Sequence, residues 1–225
     1  MKKFELTTES KTNWFGKNLF RIKACIDFVT TSGDKIHAGD LGGYVEKEQN
    51  LSHDGKAWVC GNAEVCGDAE VCGNAKVCGD AKVWDNAKVW SDAKVYGDAE
   101  VCGDANIFST EHIFCITPIG EYAQSLTLFR TKKCEIKVSF ELEIYALDEF
   151  RKMVADWDDT KQREVALAVL EIGQKHIDLT PTADEYEPCP FCGGEAEYNA
   201  DSDVVVCTKC CASVDKKIWN RRIDD

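Results

Sequence analysis

Apolar and polar positions recur every six residues between residues 55 and 108. From residue 61 the units read GNAEVC, GDAEVC, GNAKVC, GDAKVW, DNAKVW, SDAKVY, GDAEVC and GDANIF, and GKAWVC before them is a divergent first unit. Within one unit Ala63 and Val65 point to one side of an extended chain and Glu64 to the other, because strand side chains alternate. Gly67-Asp68 suits a corner, since both residues tolerate left-handed backbone angles. The pattern predicts a solenoid of short strands with Ala and Val inside.

The hexads resemble those of the hexapeptide-repeat family, whose fold is a left-handed parallel β-helix with three units per triangular coil. The resemblance implies that residues 18 positions apart in this sequence stack, at the inter-strand spacing of about 4.8 Å. The backward extension of the Ala phase reaches Ala57, Leu51 and Val45. The β-helix is therefore predicted to begin near Leu41 and to occupy residues 41–112. The predicted stacks are Glu64, Lys82 and Glu100; Cys66, Trp84 and Cys102; Cys72, Trp90 and Phe108; and Cys60, Cys78 and Tyr96.

The outward Cys, Trp and Tyr positions of the hexads have two explanations. Other parts of the chain cover them, or they form the interface of a homo-oligomer, for which the family resemblance favours a trimer and the enrichment of Trp and Tyr at interfaces gives support. Aromatic rings stack on bases, and ammonium groups pair with phosphates. The candidate ligand or interface surface therefore comprises Trp84, Trp90, Tyr96, Lys76 and Lys94.

The flanking segments predict two further units of secondary structure. Residues 1–40 read as an N-terminal β cap over the open edge of the solenoid, with strands at Asn18–Phe28 and Asp34–His37. Residues 113–179 read as an α+β unit, in which sheet precedes helix. Its predicted elements are strands at Ile113–Ile119, Ser125–Arg130 and Cys134–Ala146, a helix with Leu147, Phe150, Val154 and Trp157 on one face, and a helix from Thr160 to His176 that is capped by Asp159.

Residues 188–225 carry the spacing of a zinc ribbon. Cys189-x-x-Cys192 and Cys207-x-x-Cys210 fit a four-thiolate Zn²⁺ site. A segment this short cannot hold a core alone, so the metal is expected to supply the folding energy. Cys211 is not expected to be a ligand, because it adjoins Cys210 and would point elsewhere.

The remaining cysteines bear on the redox environment. The chain has 13 cysteines, an odd number, and no export signal, which favours a reducing cytosol in which the cysteines outside the zinc site are small apolar fillers. A metal site at Cys60 and Cys78 is an alternative, but it would lack two ligands.

Two resemblances to phage proteins follow from short motifs. The run LGGYVEKEQNLS, with PIG, FR and LDEF after the hexads, resembles a group of phage-encoded hexapeptide-repeat proteins of transferase-like labelling. The ribbon resembles the Lar family of restriction-alleviation proteins, small phage and prophage proteins that blunt type I restriction; Cys211 stands where that family usually has Gly. The matching ribbon residues are Cys189, Pro190, Phe191, Cys192, Gly193, Gly194, Cys207, Cys210, Ala212, Trp219, Asn220 and Arg221.

Charge and hydropathy exclude some classes of partner. Lys plus Arg total 27 and Asp plus Glu total 40, a net charge of −13, which disfavours binding of nucleic acid by bulk charge. No run approaches the ~18 apolar residues of a membrane span. We therefore expect a cytoplasmic protein of a bacterial host.

The sequence favours binding over catalysis. An acyltransferase of the hexapeptide-repeat type needs a His base beside a cleft, but no loop interrupts the hexads, and His37, His53, His112 and His176 are each predicted to be satisfied surface residues. We expect a non-catalytic accessory protein that counters a host defence. It would sequester a small nucleotide signal between subunits, or contact a restriction complex through the ribbon. An acyl-CoA-dependent acyltransferase and a purely structural oligomeric scaffold are the alternatives.

Overall fold

The computed structural model describes residues 2–120, 122–182, 186, 189, 191–199, 202, 204–215 and 219. The chain divides into two compact units. The first comprises Met1–Thr131 and Ile136–Asp178, and the second comprises Lys132–Glu135 and Leu179–Asp225. The first unit therefore contains the N-terminal strands, the repeats and both helices. The finer boundaries at residues 40 and 112 stay predictions.

The repeats form a parallel β-solenoid of about four turns, which confirms the predicted β-helix. Each hexad contributes one two-residue strand to one of three sheets, and the Ala and Val side chains fill the interior. The sheets have the orders β1-β2-β5-β7-β10-β13, β14-β11-β8 and β12-β9-β6. The strands are β1 Phe4–Thr12, β2 Asn18–Ala24, β3 Phe28–Val29, β4 Lys35–Ile36, β5 Leu41–Val45, β6 Trp58–Val59, β7 Glu64–Val65, β8 Glu70–Val71, β9 Lys76–Val77, β10 Lys82–Val83, β11 Lys88–Val89, β12 Lys94–Val95, β13 Glu100–Val101 and β14 Asn106–Ile107.

The stacking register of the hexads is as predicted from residue 57 onward. Lys82 lies opposite Glu64 on one side and Glu100 on the other. Lys82 Nζ is 3.2 Å from Glu100 Oε1, and opposite charges on neighbouring strands stabilise a sheet by about 0.2–1 kcal/mol. The alternating charge ladder is thus a property of the folded solenoid.

The first coil departs from the predicted phase. Val45 pairs with Val65 and Leu51 with Val71, whereas Val59 pairs with Val77. Leu51 and Val45 therefore occupy Val positions, and their assignment to Ala positions was wrong. The reason is two extra residues between Leu51 and Val59, which a fixed six-residue count does not register.

The N-terminal residues extend one solenoid sheet. The strand β1 pairs antiparallel with β2, and β2 pairs antiparallel with β5, which in turn pairs parallel with the hexad strand β7. The prediction missed β1, because Phe4 is its only fully buried side chain and the rest of FELTTESKT is polar or partly exposed. The predicted strand Asn18–Phe28 was also too long, since β2 ends at Ala24.

Lys3, which precedes β1, introduces a pH-dependent contribution to stability. Its side chain is 2% exposed, and burial lowers its pKa to about 8. The unfolded chain keeps this proton up to about pH 10.4. The unfolded state therefore binds more protons between those values, and stability rises with pH there.

We expect Lys3→Met to remove this pH-dependent term. Thermal melts of the natural chain should show a midpoint that rises between pH 8 and about 10, and Lys3→Met should be more stable at pH 7 with a flatter profile. The quantity to measure is the difference in melting midpoint between the natural chain and Lys3→Met at each pH, because the other titratable groups are the same in both proteins. Parallel profiles would contradict the expectation.

The residues after the solenoid form the α+β arrangement that was predicted. The two helices are α1 Leu147–Ala155 and α2 Thr160–His176. Asp159 caps α2, since its Oδ1 accepts a hydrogen bond of 2.9 Å from the backbone N–H of Gln162. No helix among the described residues is long and apolar enough to cross a membrane. The antiparallel sheet has the order β15-β16-β17-β18, with strands β15 Ile113–Ile119, β16 Gln124–Arg130, β17 Ile136–Phe140 and β18 Glu143–Ala146.

The single strand predicted at Cys134–Ala146 is wrong. Glu141 and Leu142 both have positive φ, 55° and 66°, and Phe140 pairs with Glu143 across a two-residue turn. Such turns suit the right-handed twist of a hairpin. The turn reverses which face each alternate residue takes, so Ile144 is exposed although the alternation pattern placed it with the buried set.

Candidate metal centre and predicted binding surface

The second unit holds a small antiparallel sheet. Its strands are β19 Ala196–Asn199, β20 Val204–Cys207 and β21 Ser213–Asp215, in that order. The buried set of this unit contains Val205 and Trp219 together with Cys189 and Cys207. Among the described residues this apolar core is small, so a metal held by the cysteines would add stabilisation to the ribbon.

The four predicted ligands come together at the knuckles of this sheet. The Sγ atoms of Cys189, Cys192, Cys207 and Cys210 all lie within 4.8 Å of one another. The Cys189 and Cys210 Sγ atoms are 3.6 Å apart, and those of Cys192 and Cys207 are 3.5 Å apart. The cluster can therefore hold one metal ion.

Backbone amides prepare the second knuckle for a metal. The N–H groups of Cys210 and Lys209 donate to Cys207 Sγ at 3.4 and 3.3 Å. These donors, Cys210 first, lower the pKa of the Cys207 thiol to about 6. The thiolate is the form that binds a metal, so these amides favour the binding form of Cys207, whereas the pKa of Cys210 in the same cluster is raised. The Cys-x-x-Cys spacing does not by itself identify Lys209 as a donor.

Gly194 brings the two knuckles into close contact. A Cβ at this position would lie 2.6 Å from Lys209 Cβ and 2.9 Å from Cys207 Sγ. No side chain fits there without displacing a ligand. Both glycines after Cys192 are thus required by the structure. Gly194 is needed because no side chain fits at its position, and Gly193 because its φ is +65°.

Cys211 lies outside the four-sulfur cluster, as predicted. It is exposed, and its φ is +58°, a left-handed conformation that costs a side-chain-bearing residue about 1–2 kcal/mol. Its N–H donates to the Cys207 carbonyl oxygen at 3.0 Å, which ties the strained position to a ligand residue.

Cys211→Gly is expected to stabilise the ribbon by up to about 1 kcal/mol, because Gly adopts positive φ without the Cβ penalty but loses more entropy on folding. Denaturant unfolding of the metal-loaded protein, monitored by a spectroscopic signal from the ribbon, measures the change in the free energy of unfolding. Cys211→Ala is the matched control, since it removes the thiol and keeps the strain. Equal stability of the two variants would contradict the explanation.

The first part of the predicted surface is covered by the same chain. Trp84 is 6% exposed, and the Phe15 ring lies 5.6 Å from it. Asn13 Nδ2 donates to Cys66 Sγ at 3.5 Å. The stack of Cys66, Trp84 and Cys102 is thus buried within one chain.

The remaining aromatic residues lie on different sheets. Trp90 follows β11, is half-buried against Phe108 and donates from Nε1 to Asn106 Oδ1 at 2.7 Å. Tyr96 follows β12 and is 43% exposed. The structure therefore does not bring Trp84, Trp90 and Tyr96 together within one chain.

The two lysines of the predicted surface do lie together. Lys76 and Lys94 are direct partners on adjacent strands. Lys76 Nζ forms an ion pair with Asp34 Oδ2 and lies 5.7 Å from the centre of the Tyr96 ring. This cluster combines two ammonium groups and one aromatic ring, with a carboxylate already engaged by Lys76.

Cys60 and Cys78 form a disulfide. This corrects the prediction that the cysteines outside the metal site are all apolar fillers. The stacking of the coils places the two Cα atoms 4.7 Å apart, within the range that disulfides span. The residues are therefore not a separate metal site.

The histidines are engaged within the fold. His53 Nδ1 accepts from the backbone N–H of Lys3 at 3.2 Å, and Nε2 lies 2.7 Å from Glu48 Oε1. His112 is buried, and its Nδ1 accepts from the N–H of Phe108 at 3.3 Å. The prediction of a surface position was wrong for His112, because the short 3₁₀ turn Thr110–His112 folds it inward.

Comparison with known proteins adds no relative to this picture. No family model matches the chain, and no curated protein matches it.

Proposed function

We propose that this chain is a non-catalytic accessory protein of a phage or prophage that counters host restriction by binding a protein component of the restriction complex through a zinc-held ribbon. The four-sulfur cluster carries the proposal. The resemblance of CPFCGG and WNRR to the Lar family supplies the biological context.

Zinc is the metal that suits this donor set. Tetrahedral sites have Zn–S bonds of about 2.3 Å, which places the sulfurs about 3.8 Å apart. The separations of 3.5 and 3.6 Å between sulfur pairs are close to that value. Four thiolates are soft ligands, which zinc accepts in tetrahedral geometry. Bound zinc would supply folding energy to the ribbon.

Binding is supported over catalysis by the chemistry of the site. Four protein ligands complete a tetrahedral shell, whereas a catalytic zinc keeps one position open for water or substrate. The acyltransferase alternative needs a His free to accept a proton. Both ring nitrogens of His53 are already within hydrogen-bond distance of a partner, and His112 is buried.

Exposed aromatic side chains on the ribbon support a protein partner. Phe191 is 74% exposed and lies within the first knuckle, between Cys189 and Cys192. Tyr198 is 38% exposed on the outer strand β19. Aromatic residues are enriched among the anchors of protein interfaces.

Nucleotide sequestration has less support, because Trp84 is buried and Trp90 and Tyr96 follow strands of different sheets.

A plating assay with unmodified phage on a host with type I restriction tests this proposal. The natural chain, expressed in the host, should raise plating efficiency. Phe191→Ala should lose this effect while it keeps the metal, and Cys189→Ser should lose both. Cys211→Ser is the matched control, because it changes a ribbon cysteine outside the cluster. Full activity of metal-loaded Phe191→Ala, or no effect of the natural chain, would contradict the proposal.

Homotrimer formation remains a separate proposal. Trimers are common in the hexapeptide-repeat family, which the hexads resemble. Tyr96 also offers an exposed aromatic side chain on the solenoid. Sedimentation velocity measures the mass in solution, and a single species at the mass of one chain would contradict it.

A further inference from the structure

We propose that a cleft in the α+β part of the first unit binds an organic cation that carries N–H donors, an alkylammonium or a guanidinium. The cleft lies between the turn that precedes β16, the β17–β18 hairpin and the α1–α2 junction, and it has a volume of about 660 Å³. That size is typical of sites for small organic ligands, which span ~300–1,000 Å³. The inference is independent of the ribbon and of its proposed function.

The walls of the cleft are aromatic. Phe140 and Trp157 line it with ring centres 5.8 Å apart. Tyr145 lines it from β18, and its ring packs 5.4 Å from buried Phe150. Rings that are fixed in this way attract a cation placed over their faces, and the attraction is stronger where water is excluded. The apolar walls also suit the alkyl body of such a ligand.

The rim of the cleft is acidic. Four carboxylates line it, from Glu141, Asp156, Asp158 and Asp159. Among the described residues that line the cleft, none is Lys, Arg or His. Burial, and after it the nearby carboxylates of Glu143 and Glu141, raise the pKa of Tyr145.

One polar atom in the cleft lacks a hydrogen-bond donor. Gln124 lines the cleft, and its Nε2 donates to Glu141 Oε1 at 2.6 Å. Its Oε1 is buried and has no hydrogen-bond partner among the described residues. A buried acceptor without a partner destabilises the fold, because it has lost its hydrogen bonds to water. A small rotation of this amide toward the cleft would let an N–H of a bound ammonium or guanidinium group satisfy the oxygen, whereas a quaternary ammonium could not.

Gly120 shapes the wall beside this oxygen. Its φ is +75°, and a Cβ there would lie 2.9 Å from Gln124 Oε1 and 3.3 Å from the Phe140 ring. The absence of a side chain lets the amide and the ring come together. The sequence motif Pro118–Gly120 is thereby connected to this cleft rather than to the solenoid.

Some of the carboxylate oxygens at the rim already accept hydrogen bonds from the chain itself. Asp159 uses one oxygen to cap α2. Arg163, one turn into α2, donates to the Trp157 carbonyl oxygen at 2.7 Å, so its guanidinium is held at the backbone rather than at the rim. Glu141 accepts from Gln124 but keeps its negative charge. The cleft thus retains net negative charge that a ligand cation would offset.

Calorimetry on the full chain with three ligands of equal length tests the proposal. Hexane-1,6-diamine carries two ammonium groups with N–H donors, hexamethonium carries two quaternary charges, and hexane-1,6-diol is neutral. We expect binding in the order diamine, hexamethonium, diol, with the diamine weakened by added salt. Nα-acetyl-lysinamide, as a fourth ligand, distinguishes a basic side chain of a partner from a free amine as the source. Equal binding of all four, or of none, would overturn the proposal.

Asp158 is exposed and Gln124 is half-buried, so substitutions at these two residues keep the test independent of folding. Asp158→Asn should weaken diamine binding about tenfold, and Gln124→Leu should abolish the preference for the diamine over hexamethonium. Glu171→Gln is the matched control, because it removes one exposed carboxylate of α2 outside the cleft. Unchanged diamine affinity in Asp158→Asn, or an equal loss in Glu171→Gln, would overturn the assignment of the site.

Discussion

Cys189→Ser is expected to remove the bound metal and to unfold the ribbon while the β-solenoid persists. The substitution deletes one of four sulfurs that lie within 4.8 Å of one another. In small zinc modules metal binding contributes about 10–16 kcal/mol, which is also the folding free energy. Within the part of the ribbon that the structure describes, the buried apolar set is too small to replace that contribution.

Metal analysis together with ¹H–¹⁵N correlation spectra measures this result. The natural chain should bind one zinc per chain, and the variant should bind none. Ribbon resonances should collapse to unfolded positions, while the amides of the first unit stay dispersed. Cys211→Ser, which alters an exposed ribbon cysteine outside the cluster, should behave as the natural chain. A folded, metal-free ribbon in Cys189→Ser would contradict the expectation.

Gly55→Ala is expected to destabilise the first unit. The effect should exceed that of Gly→Ala at any other exposed turn of this unit where glycine has a positive φ. Gly55 has a φ of +69°, and a Cβ there would overlap the carbonyl oxygen of Gly73 in the next coil. That oxygen also accepts hydrogen bonds from Lys56 and Ala57, at 2.8 and 3.0 Å. The coils cannot separate locally without the loss of both.

Gly16→Ala separates the clash from the backbone strain. Gly16 has a φ of +72°, and a Cβ added there would have no atom within 4 Å, so only the left-handed penalty of about 1–2 kcal/mol applies. Gly55→Ala should add about 1–3 kcal/mol of overpacking to that cost. Urea unfolding followed by circular dichroism of both variants gives the difference. Equal midpoints for the two variants would show that the coils are not in close contact at this corner.

The sequence pattern was sufficient for the solenoid because each coil repeats the same physical problem. Ala and Val must fill a narrow interior, and Gly with Asp or Asn must turn the corner, so six-residue periodicity carries both fold and register. The pattern failed where the period changed. The two extra residues between Leu51 and Val59 shift the first coil, and only the pairing of Leu51 with Val71 shows it.

The hairpin at Glu141 and Leu142 shows a second limit of pattern reading. Alternation runs unbroken from Cys134 to Ala146 in the sequence, and neither turn residue is Gly, Asn or Asp. Two adjacent positive φ values at these residues are set by the packing of the sheet and not by local preference. Sequence reasoning therefore predicted one strand where the structure has two.

The two candidate sites differ in how far the sequence predicts them. The metal cluster is built from two local Cys-x-x-Cys motifs, so spacing alone identified the four ligands. The cation cleft draws Gly120, Gln124, Phe140 and Trp157 from separate elements. Their proximity depends on the hairpin turn, for which the sequence carries no motif, and on the α1–α2 junction, where the sequence predicts only the Asp159 cap.

X-ray absorption at the zinc edge of the purified chain tests the central claim of a four-thiolate zinc ribbon most directly. We predict a first shell of four sulfur atoms at about 2.3 Å, with no nitrogen or oxygen ligand. A mixed shell with nitrogen or oxygen at about 2.0–2.1 Å, or the absence of bound zinc, would contradict it.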